Sequence, residues 1–335
     1  MNLSLTKLGW NSHFEQFGQQ YKDFQFGRIS LEHKHLYRVL TEHGEVLANL
    51  SGKFRFSVQT EADHPSVGDW VVLSIREDEQ KGTIHNCLPR FSKLSRKSAG
   101  NSGTEQLIAT NIDTLFIVNA LNQDFNLRRM ERYLVMAWES GATPVLLLTK
   151  SDLCEDIEKK VRKVESVALG VSVHVISSIM KTGLDTLDPY LIEGKSVAIV
   201  GSSGVGKSTL VNSLLGVEKQ KTQDSRSDDD RGRHTTTYRE LISIPKGGIL
   251  IDTPGMRELQ LWGTEHALEQ SFSDIEMLAN NCYYRDCNHN TEPKCAIKAA
   301  IESGALASER FASFKKLQRE LAFYERKEKR KAGKK

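Results

Sequence analysis

The sequence is poor in cysteine and proline, and it contains no long apolar run. Its 335 residues include 5 cysteines and 7 prolines. The odd cysteine count, with Cys87 and Cys154 alone in ordinary segments, argues against a disulfide-linked secreted scaffold and favours reduced thiols. Apolar stretches such as residues 145–148 are far shorter than the ~20 residues that cross a membrane, and the first residues are too polar for a secretory signal. We therefore expect a cytoplasmic protein without a membrane segment.

Charge is abundant in the sequence and unevenly distributed. Apolar residues make up 39% and charged residues 27%, which is typical of globular proteins and excludes disordered, collagen-like and coiled-coil chains. The formal net charge is +3, but the stretch from Lys315 to the end holds ten basic and three acidic side chains. A basic tail behind a slightly acidic body favours a polyanionic partner such as nucleic acid, although a solvated helix end explains the same charges equally well.

The length of the chain allows one to three domains, and the pattern of elements favours three. Residues 1–103 contain short alternating segments, and we expect strands at 52–58, with Phe54, Phe56 and Val58 on one face, and at 67–75. Short strands separated by turn residues predict an OB-like β-barrel, with an N-terminal extension and a Gly/Ser-rich linker. Basic residues near the barrel's end suit RNA but also protein contacts. They are Arg90, Lys93, Arg96 and Lys97.

From about residue 104 the sequence alternates between apolar strands and amphipathic helices. Strands are predicted at 114–118, 144–148, 171–176, 196–200 and 248–251. Helices are predicted from Leu127 to Trp138 and over 157–169. This alternation indicates an α/β domain with a parallel sheet over residues 104–263. Residues 264–335 are expected to form a helical domain that contains a Cys/His cluster and ends in the basic tail.

A glycine-rich segment follows the strand at 196–200 and matches the phosphate-loop pattern G-x4-G-K-[ST]. Its residues are Gly201, Ser202, Ser203, Gly204, Val205, Gly206, Lys207, Ser208 and Thr209. The backbone N–H groups of such a loop surround a β-phosphate at the positive end of a helix dipole. Lys207 is expected to reach the β- and γ-phosphate oxygens, and the Ser208 hydroxyl to bind Mg²⁺.

Two later segments complete a predicted site for the γ-phosphate and magnesium. The strand at 248–251 leads to Asp252, which can hold Mg²⁺ through water, and Gly255 can donate its N–H to the γ-phosphate. Before that strand, polar residues 228–237 have the composition of a nucleotide-dependent switch loop. We expect Thr236, in preference to Thr235, to supply a second magnesium ligand there.

Base recognition is predicted at the ends of two earlier strands. The first carries the tetrad Thr149, Lys150, Ser151 and Asp152. A carboxylate at Asp152 can accept both N1–H and N2–H₂ of guanine, a pattern that adenine does not offer, and the Lys150 stem can lie across the base. The next strand ends in Ser177 and Ser178, a segment similar to the one that contacts guanine O6 in GTPases. A lone Lys-x-Asp is usually a helix start, but two such segments on successive strands favour guanine.

The base-reading segments precede the phosphate segments, the reverse of the order in most GTPases. Because ligand loops of a parallel sheet all emerge at the carboxyl ends of its strands, a circular permutation leaves the assembled site unchanged.

Four possible metal ligands lie within fourteen residues of the C-terminal region. They are Cys282, Cys287, His289 and Cys295. Three thiolates and one imidazole are the ligand set of a closed structural zinc site, and we expect one Zn²⁺ with a structural role. A small region with few large apolar side chains also benefits from such a metal.

The order of motifs and the sequences around them resemble the ribosome small-subunit-dependent GTPase A family over nearly the whole chain. The resemblance covers residues 124–129, 131–134 and 138–141, the phosphate loop, residues 232–237 and the Cys/His cluster. It implies a monomeric enzyme that hydrolyses GTP to GDP and phosphate when stimulated by the small ribosomal subunit. It also implies that hydrolysis releases a factor late in subunit maturation. The implied partners are the small subunit, its rRNA and other assembly factors.

Two residues depart from the usual GTPase pattern. Thr149 stands where GTPases more often have Asn, so the amide that braces the base pocket is missing. Met256 follows the Asp252 segment where many GTPases have a Gln that orients water, and methionine cannot do so. We predict that His234 in the switch loop takes this catalytic role; a solvent-exposed loop histidine is the alternative. Two other functions stay open: an RNA-binding assembly factor in which nucleotide only stabilises the fold, and an ATPase.

Overall fold

In the computed structural model, which describes residues 4–33, 36–97, 105–216, 239–253 and 264–332, five N-terminal strands close into a small barrel. A short helix α1 (Ser12–Gly18) precedes them. The strands are β1 (Gln25–His33), β2 (Leu36–Thr41), β3 (Gly44–Leu50), β4 (Trp70–Arg76) and β5 (Lys81–Cys87). They pair in the order β1-β2-β3-β5-β4, and β4 returns to β1, which closes the barrel. Five strands are the number of an OB-fold, so the predicted OB-like barrel is confirmed.

The strand expected at 52–58 is wrong, because these residues form helix α2 (Gly52–Ser57). Ser51 caps the helix: its hydroxyl accepts a hydrogen bond from the Phe54 N–H at 3.1 Å. Phe54 within the helix and Val58 directly after it pack against the barrel core, whereas Phe56 is 93% exposed. The alternating pattern therefore led to a wrong strand prediction, because only two of its three apolar side chains pack against the barrel core.

A hairpin and an α/β sheet follow the barrel. The hairpin consists of β6 (Lys93–Lys97) and β7 (Glu105–Thr110). The sheet strands are β8 (Thr114–Ala120), β9 (Thr143–Thr149), β10 (Ser172–Val175), β11 (Ser196–Val200), β12 (Glu240–Ser243) and β13 (Ile249–Asp252). The helices between them are α3 (Leu127–Ser140), α4 (Ile157–Glu165) and α5 (Lys207–Leu215). Each strand predicted after residue 104 is present, and so are both predicted helices, although α4 ends at Glu165.

The sheet is mixed rather than wholly parallel. Its order is β10-β9-β8-β11-β13-β12, and β12, which the sequence analysis did not predict, runs antiparallel to β13. Separate apolar clusters cover its two faces, one with α3 and the other with α5. At its edge β12 also pairs with barrel strand β1, Leu31 opposite Glu240, so the barrel and the α/β strands form one continuous sheet.

A buried arginine of the barrel reinforces this junction. Arg28 is 1% exposed and donates hydrogen bonds to the Leu8 carbonyl at 2.6 Å, the Ser196 hydroxyl at 2.8 Å and the Asn111 carbonyl at 2.8 Å. Burial lowers its pKa to about 10, although the negative charges of Asp113 and Asp69 act to raise it. Ser196 is the first residue of β11, so the barrel is tied directly to the strand that leads into the phosphate loop.

The C-terminal region is helical, as predicted, and no strand occurs in the described residues 264–332. Its helices are α6 (Glu265–Ser271), α7 (Ser273–Ala279), α8 (Ala296–Glu302) and α9 (Ser308–Ala332). They share an apolar cluster with α3, and a buried ion cluster joins the two: Arg310 of α9 contacts Glu131 of α3 at 3.1 Å and Asp274 of α7 at 2.6 Å. Among the described helices, none combines the length and apolar character that a membrane span requires.

The domain boundaries predicted at residues 103 and 263 both fall in stretches outside the described residues. They stay predictions.

Candidate functional site

The predicted site residues meet at one edge of the α/β sheet. Strands β9, β8, β11 and β13 are neighbours and run parallel, so the segments that follow them emerge at the same edge. The phosphate loop follows β11, the Thr149 tetrad follows β9, and Asp252 ends β13. The Ser177 segment follows β10 beside β9. The chain order of the motifs therefore does not prevent their assembly.

The phosphate loop turns from β11 into α5 through positions that require glycine. A Cβ on Gly201 would lie 2.4 Å from the Val118 carbonyl oxygen, and Gly206 has a φ of 95° at the N-cap of α5. The Lys207 Nζ donates hydrogen bonds to the carbonyl oxygens of Gly201 at 2.7 Å and Ser202 at 2.6 Å. Burial lowers the Lys207 pKa to about 8, while the charges of Asp252 and Asp124 oppose that shift. The lysine thus lies across the loop, with two carboxylates near it.

Thr149 links the base-reading tetrad to the phosphate loop. It is 2% exposed, and its hydroxyl donates a hydrogen bond to the Val205 carbonyl oxygen at 2.6 Å. The next residue, Lys150, has a φ of 58°, and this left-handed conformation begins the turn that carries Asp152. The amide usual at this position is absent, as the sequence showed. A direct hydrogen bond between the two loops is nevertheless present.

Asp152 lies beside the Ser177 segment. The Ser177 hydroxyl donates a hydrogen bond to the Asp152 carboxylate, and the Ser151 N–H donates one to the Ile176 carbonyl at 3.3 Å. The two segments predicted to read the base are therefore joined. They form the wall of a small pocket next to α5, lined by Thr149, Lys150, Asp152, Ser177, Ser178, Ile179, Gly206 and Thr209.

Only some of the predicted magnesium ligands lie among the described residues. Ser208 lies in the first turn of α5, and Asp252 ends the strand next to β11. Thr253 is buried and donates its hydroxyl to the Ile199 carbonyl, which fixes the end of β13 against β11. Serine and aspartate oxygens suit a hard cation. Predicted residues His234, Thr235, Thr236, Gly255 and Met256 lie outside the described residues.

The Cys/His cluster has the dimensions of a tetrahedral metal site. All four ligand atoms lie within 4.8 Å of one another. The Cys282 Sγ is 3.9 Å from the Cys295 Sγ, and the His289 Nδ1 is 3.5 Å from each of these sulfurs. Metal–ligand distances of zinc give about 3.8 Å between sulfurs and about 3.6 Å between sulfur and nitrogen in a tetrahedron. The spacing of Cys282, His289 and Cys295 therefore matches a tetrahedral Zn²⁺ site, and the Cys287 thiol lies close enough to be its fourth ligand.

The structure also shows site residues to which the sequence analysis gave no role. Asp124 follows β8, and its carboxylate accepts a hydrogen bond from the Ser202 hydroxyl of the phosphate loop at 2.8 Å. Arg129 donates to the same carboxylate at 2.8 and 3.0 Å. A polar residue just past the end of a strand adjoining β11 was the available signal, since that position faces the same sheet edge.

A phosphate loop at the end of one strand, with a base pocket built from strands that precede it in the chain, defines a circularly permuted P-loop nucleotide-binding protein. The comparisons with known proteins agree on the class and specify it. The family model described as RsgA GTPase matches residues 87–262.

Curated relatives and solved structures match most of the chain. The small ribosomal subunit biogenesis GTPase RsgA 2 of Lactiplantibacillus plantarum is 47% identical over 96% of this chain and 91% of its own. The enzyme named RsgA of Methanosarcina acetivorans is 47% identical over 95% of this chain and 86% of its own. The crystal structure of YjeQ from Thermotoga maritima aligns with a TM-score of 0.67 at 28% identity, over 89% of this chain and 99% of that one. That of YloQ, described as a circularly permuted GTPase, aligns with a TM-score of 0.65 at 26% identity, over 90% and 96%.

The chain belongs to the RsgA GTPase family. It is therefore a GTP hydrolase, and the circularly permuted fold predicted from the order of its motifs is confirmed.

Proposed function

We propose that this GTPase acts in biogenesis of the small ribosomal subunit, and that binding of a small subunit stimulates its GTP hydrolysis. The curated relatives that match almost the whole chain carry this function in their names. The structural observation that best supports the GTPase part of this proposal is the joined pocket of Asp152 and Ser177 beside the phosphate loop, because an oriented carboxylate there suits the guanine base.

Guanine selectivity rests on the Asp152 carboxylate. An ionised carboxylate only accepts hydrogen bonds, so it suits the N1–H and N2–H₂ donors of guanine and not the N1 acceptor of adenine. Ser177 orients the carboxylate, and Lys150 covers the base. A site that pairs with specific donors discriminates strongly against a base that lacks them.

Phosphate binding rests on residues 201–209. Their N–H groups face the phosphates of GTP or GDP at the start of α5, and Lys207 moves from its carbonyl contacts to the β- and γ-phosphate oxygens. Ser208, Asp252 and Thr236 would hold Mg²⁺, and the metal would supply positive charge that neutralises the phosphate oxygens. Gly255 donates to the γ-phosphate. The His234 side chain orients the attacking water, because Met256 has no polar atom for that role.

Zn²⁺ at Cys282, Cys287, His289 and Cys295 has a structural role in this proposal. The four residues occupy every position of a tetrahedral site, which leaves none for water or substrate. Cys295 directly precedes α8, so the metal fixes the loop between α7 and α8.

The surface proposed to bind rRNA is the basic end of α9 rather than the basic residues near the barrel's end. Arg90 forms an ion pair with buried Asp69 at 2.7 Å, and Lys97 is 6% exposed with its Nζ over the Tyr324 ring at 3.7 Å. These two cations of the predicted basic stretch are thus engaged within the protein. The stretch from Lys315 to the end holds ten basic and three acidic side chains, whereas the rest of the chain is slightly acidic, so this stretch suits a phosphate backbone. Release of an assembly factor late in maturation, by a monomeric enzyme in the cytoplasm, completes the proposal.

Phosphate release from GTP and from ATP, each with and without small subunits, tests this function. We expect hydrolysis of GTP but not of ATP, and a much higher rate of GTP hydrolysis when small subunits are present. An unchanged rate with small subunits would instead indicate an assembly factor in which nucleotide only stabilises the fold. Equal turnover of ATP and GTP would contradict the guanine site.

A further inference from the structure

Asp124 lies between the phosphate loop and helix α3. Its carboxylate accepts a hydrogen bond from the Ser202 hydroxyl at 2.8 Å, and it accepts two more from the Arg129 guanidinium. Hydrogen bonds to an ionised partner are about twice as strong as neutral ones, and the two-pronged contact of arginine also fixes the plane of the carboxylate. The carboxylate is therefore held in one orientation toward Ser202.

The support of this contact is rigid. Arg129 lies in the first turn of α3, where the Asn126 side chain caps the helix by accepting a hydrogen bond from the Arg129 N–H at 3.0 Å. The same helix buries Met130 and Leu134 against the sheet. Because α3 cannot shift without disturbing this core, Asp124 is fixed relative to β11.

The Asp124 carboxylate stays ionised at neutral pH. Burial favours the neutral acid, but the hydrogen bonds from Arg129 and Ser202 and the charges of Arg129 and Lys150 outweigh it and lower the pKa of Asp124. Arg129 compensates this negative charge, which would otherwise stand near the phosphates.

Ser202 connects this support to the phosphate-binding surface. Its side chain donates to Asp124, while its carbonyl oxygen accepts a hydrogen bond from Lys207 at 2.6 Å. A phosphate loop binds through successive N–H groups whose directions must be set before the ligand arrives, since ordering them afterwards reduces affinity. Fixing the Ser202 side chain sets part of that backbone.

We propose that Asp124, oriented by Arg129, is a positioning residue that acts through Ser202 to preorganise the phosphate loop for GTP and GDP. This inference rests on the nucleotide site proposed above, not on the role of His234 or on the ribosome. Because the contact forms before nucleotide binds, it contributes equally to the bound ground state and the transition state. Its loss therefore raises KM and leaves kcat nearly unchanged.

A double-mutant cycle tests the proposal. Ser202→Ala and Asp124→Ala are each expected to weaken GDP binding and to raise the KM for GTP about tenfold, in line with the loss of one hydrogen bond to a charged group. Each should leave kcat within about twofold. If Asp124 acts through Ser202, the double variant should bind GDP no more weakly than whichever single variant has the lower affinity.

Two controls separate the possible failures. Glu158→Ala removes an exposed ion pair on α4, where Glu158 and Arg162 are 88% and 78% exposed, and should leave binding unchanged. Lys207→Ala should abolish binding if residues 201–209 form the nucleotide site. Wild-type affinity in Ser202→Ala, or multiplied effects in the double variant, would overturn the role of Asp124 while the Lys207 result upholds the site. Wild-type binding by Lys207→Ala would overturn the nucleotide site and this inference together.

Discussion

Replacing Thr149 by valine tests whether the hydroxyl supports the nucleotide site. Valine has nearly the same shape but cannot donate, so the hydrogen bond of 2.6 Å to the Val205 carbonyl oxygen disappears. Val205 is fully buried, and Thr149 is 2% exposed, so water does not readily replace the lost donor. A buried acceptor that loses its partner costs about 1–3 kcal/mol.

Because the bond joins the base-reading loop to the phosphate loop, we expect most of this cost to appear as weaker nucleotide binding. About 1.4 kcal/mol corresponds to a tenfold change in Kd. Titration with fluorescent GDP should therefore show Thr149→Val binding about 5–50-fold more weakly. Thr149→Ser keeps the hydroxyl and should remain within about threefold of wild type. Equal affinities for the valine variant and wild type would refute the bracing role of Thr149, provided that both proteins show the same circular dichroism.

Three further predictions concern other parts of the structure. Arg28→Met leaves the Leu8 and Asn111 carbonyls without the arginine donor, so the free energy of unfolding in urea should fall by about 3–5 kcal/mol. Ser196→Ala, which removes only one partner of Arg28, should lower it by about 1 kcal/mol. A loss below ~1 kcal/mol for Arg28→Met would contradict its role at the junction. A strong chelator, or the substitution Cys295→Ser, should remove one bound zinc and reduce the helical circular dichroism signal, whereas Cys154→Ser should retain the metal. If elemental analysis finds no zinc in the wild-type protein, the proposed site is wrong. Asp152→Asn should weaken GTP binding at least tenfold in the same titration, and unchanged affinity would exclude guanine recognition by this carboxylate.

Features encoded in short segments were predictable from the sequence. The run at β8 is buried along its whole length, so its composition alone identifies a strand between two helical layers. The phosphate loop and the Cys/His cluster were predictable because the spacing of such motifs is set by the geometry of a phosphate or of a tetrahedral ion. These motifs specify their own local structure.

Features that depend on distant parts of the chain were not predictable. Phe54 and Phe56 alternate as in a strand, yet the Ser51 cap and the barrel core favour a helix that exposes Phe56. The pairing of β12 with β1 joins residues separated by about two hundred positions, and neither strand encodes that partner. The position of Asp124 just past a predicted strand was a signal, but its contact with Ser202 was not predictable, because that contact depends on the order of strands in the sheet.

The proposed role in small-subunit biogenesis is tested most directly by the rate of phosphate release from GTP, with and without purified small ribosomal subunits, for the zinc-loaded protein. We predict slow hydrolysis by the protein alone, a rate at least tenfold higher with small subunits, and no stimulated hydrolysis of ATP. A rate that does not change with small subunits, or equal stimulation with ATP, would contradict it.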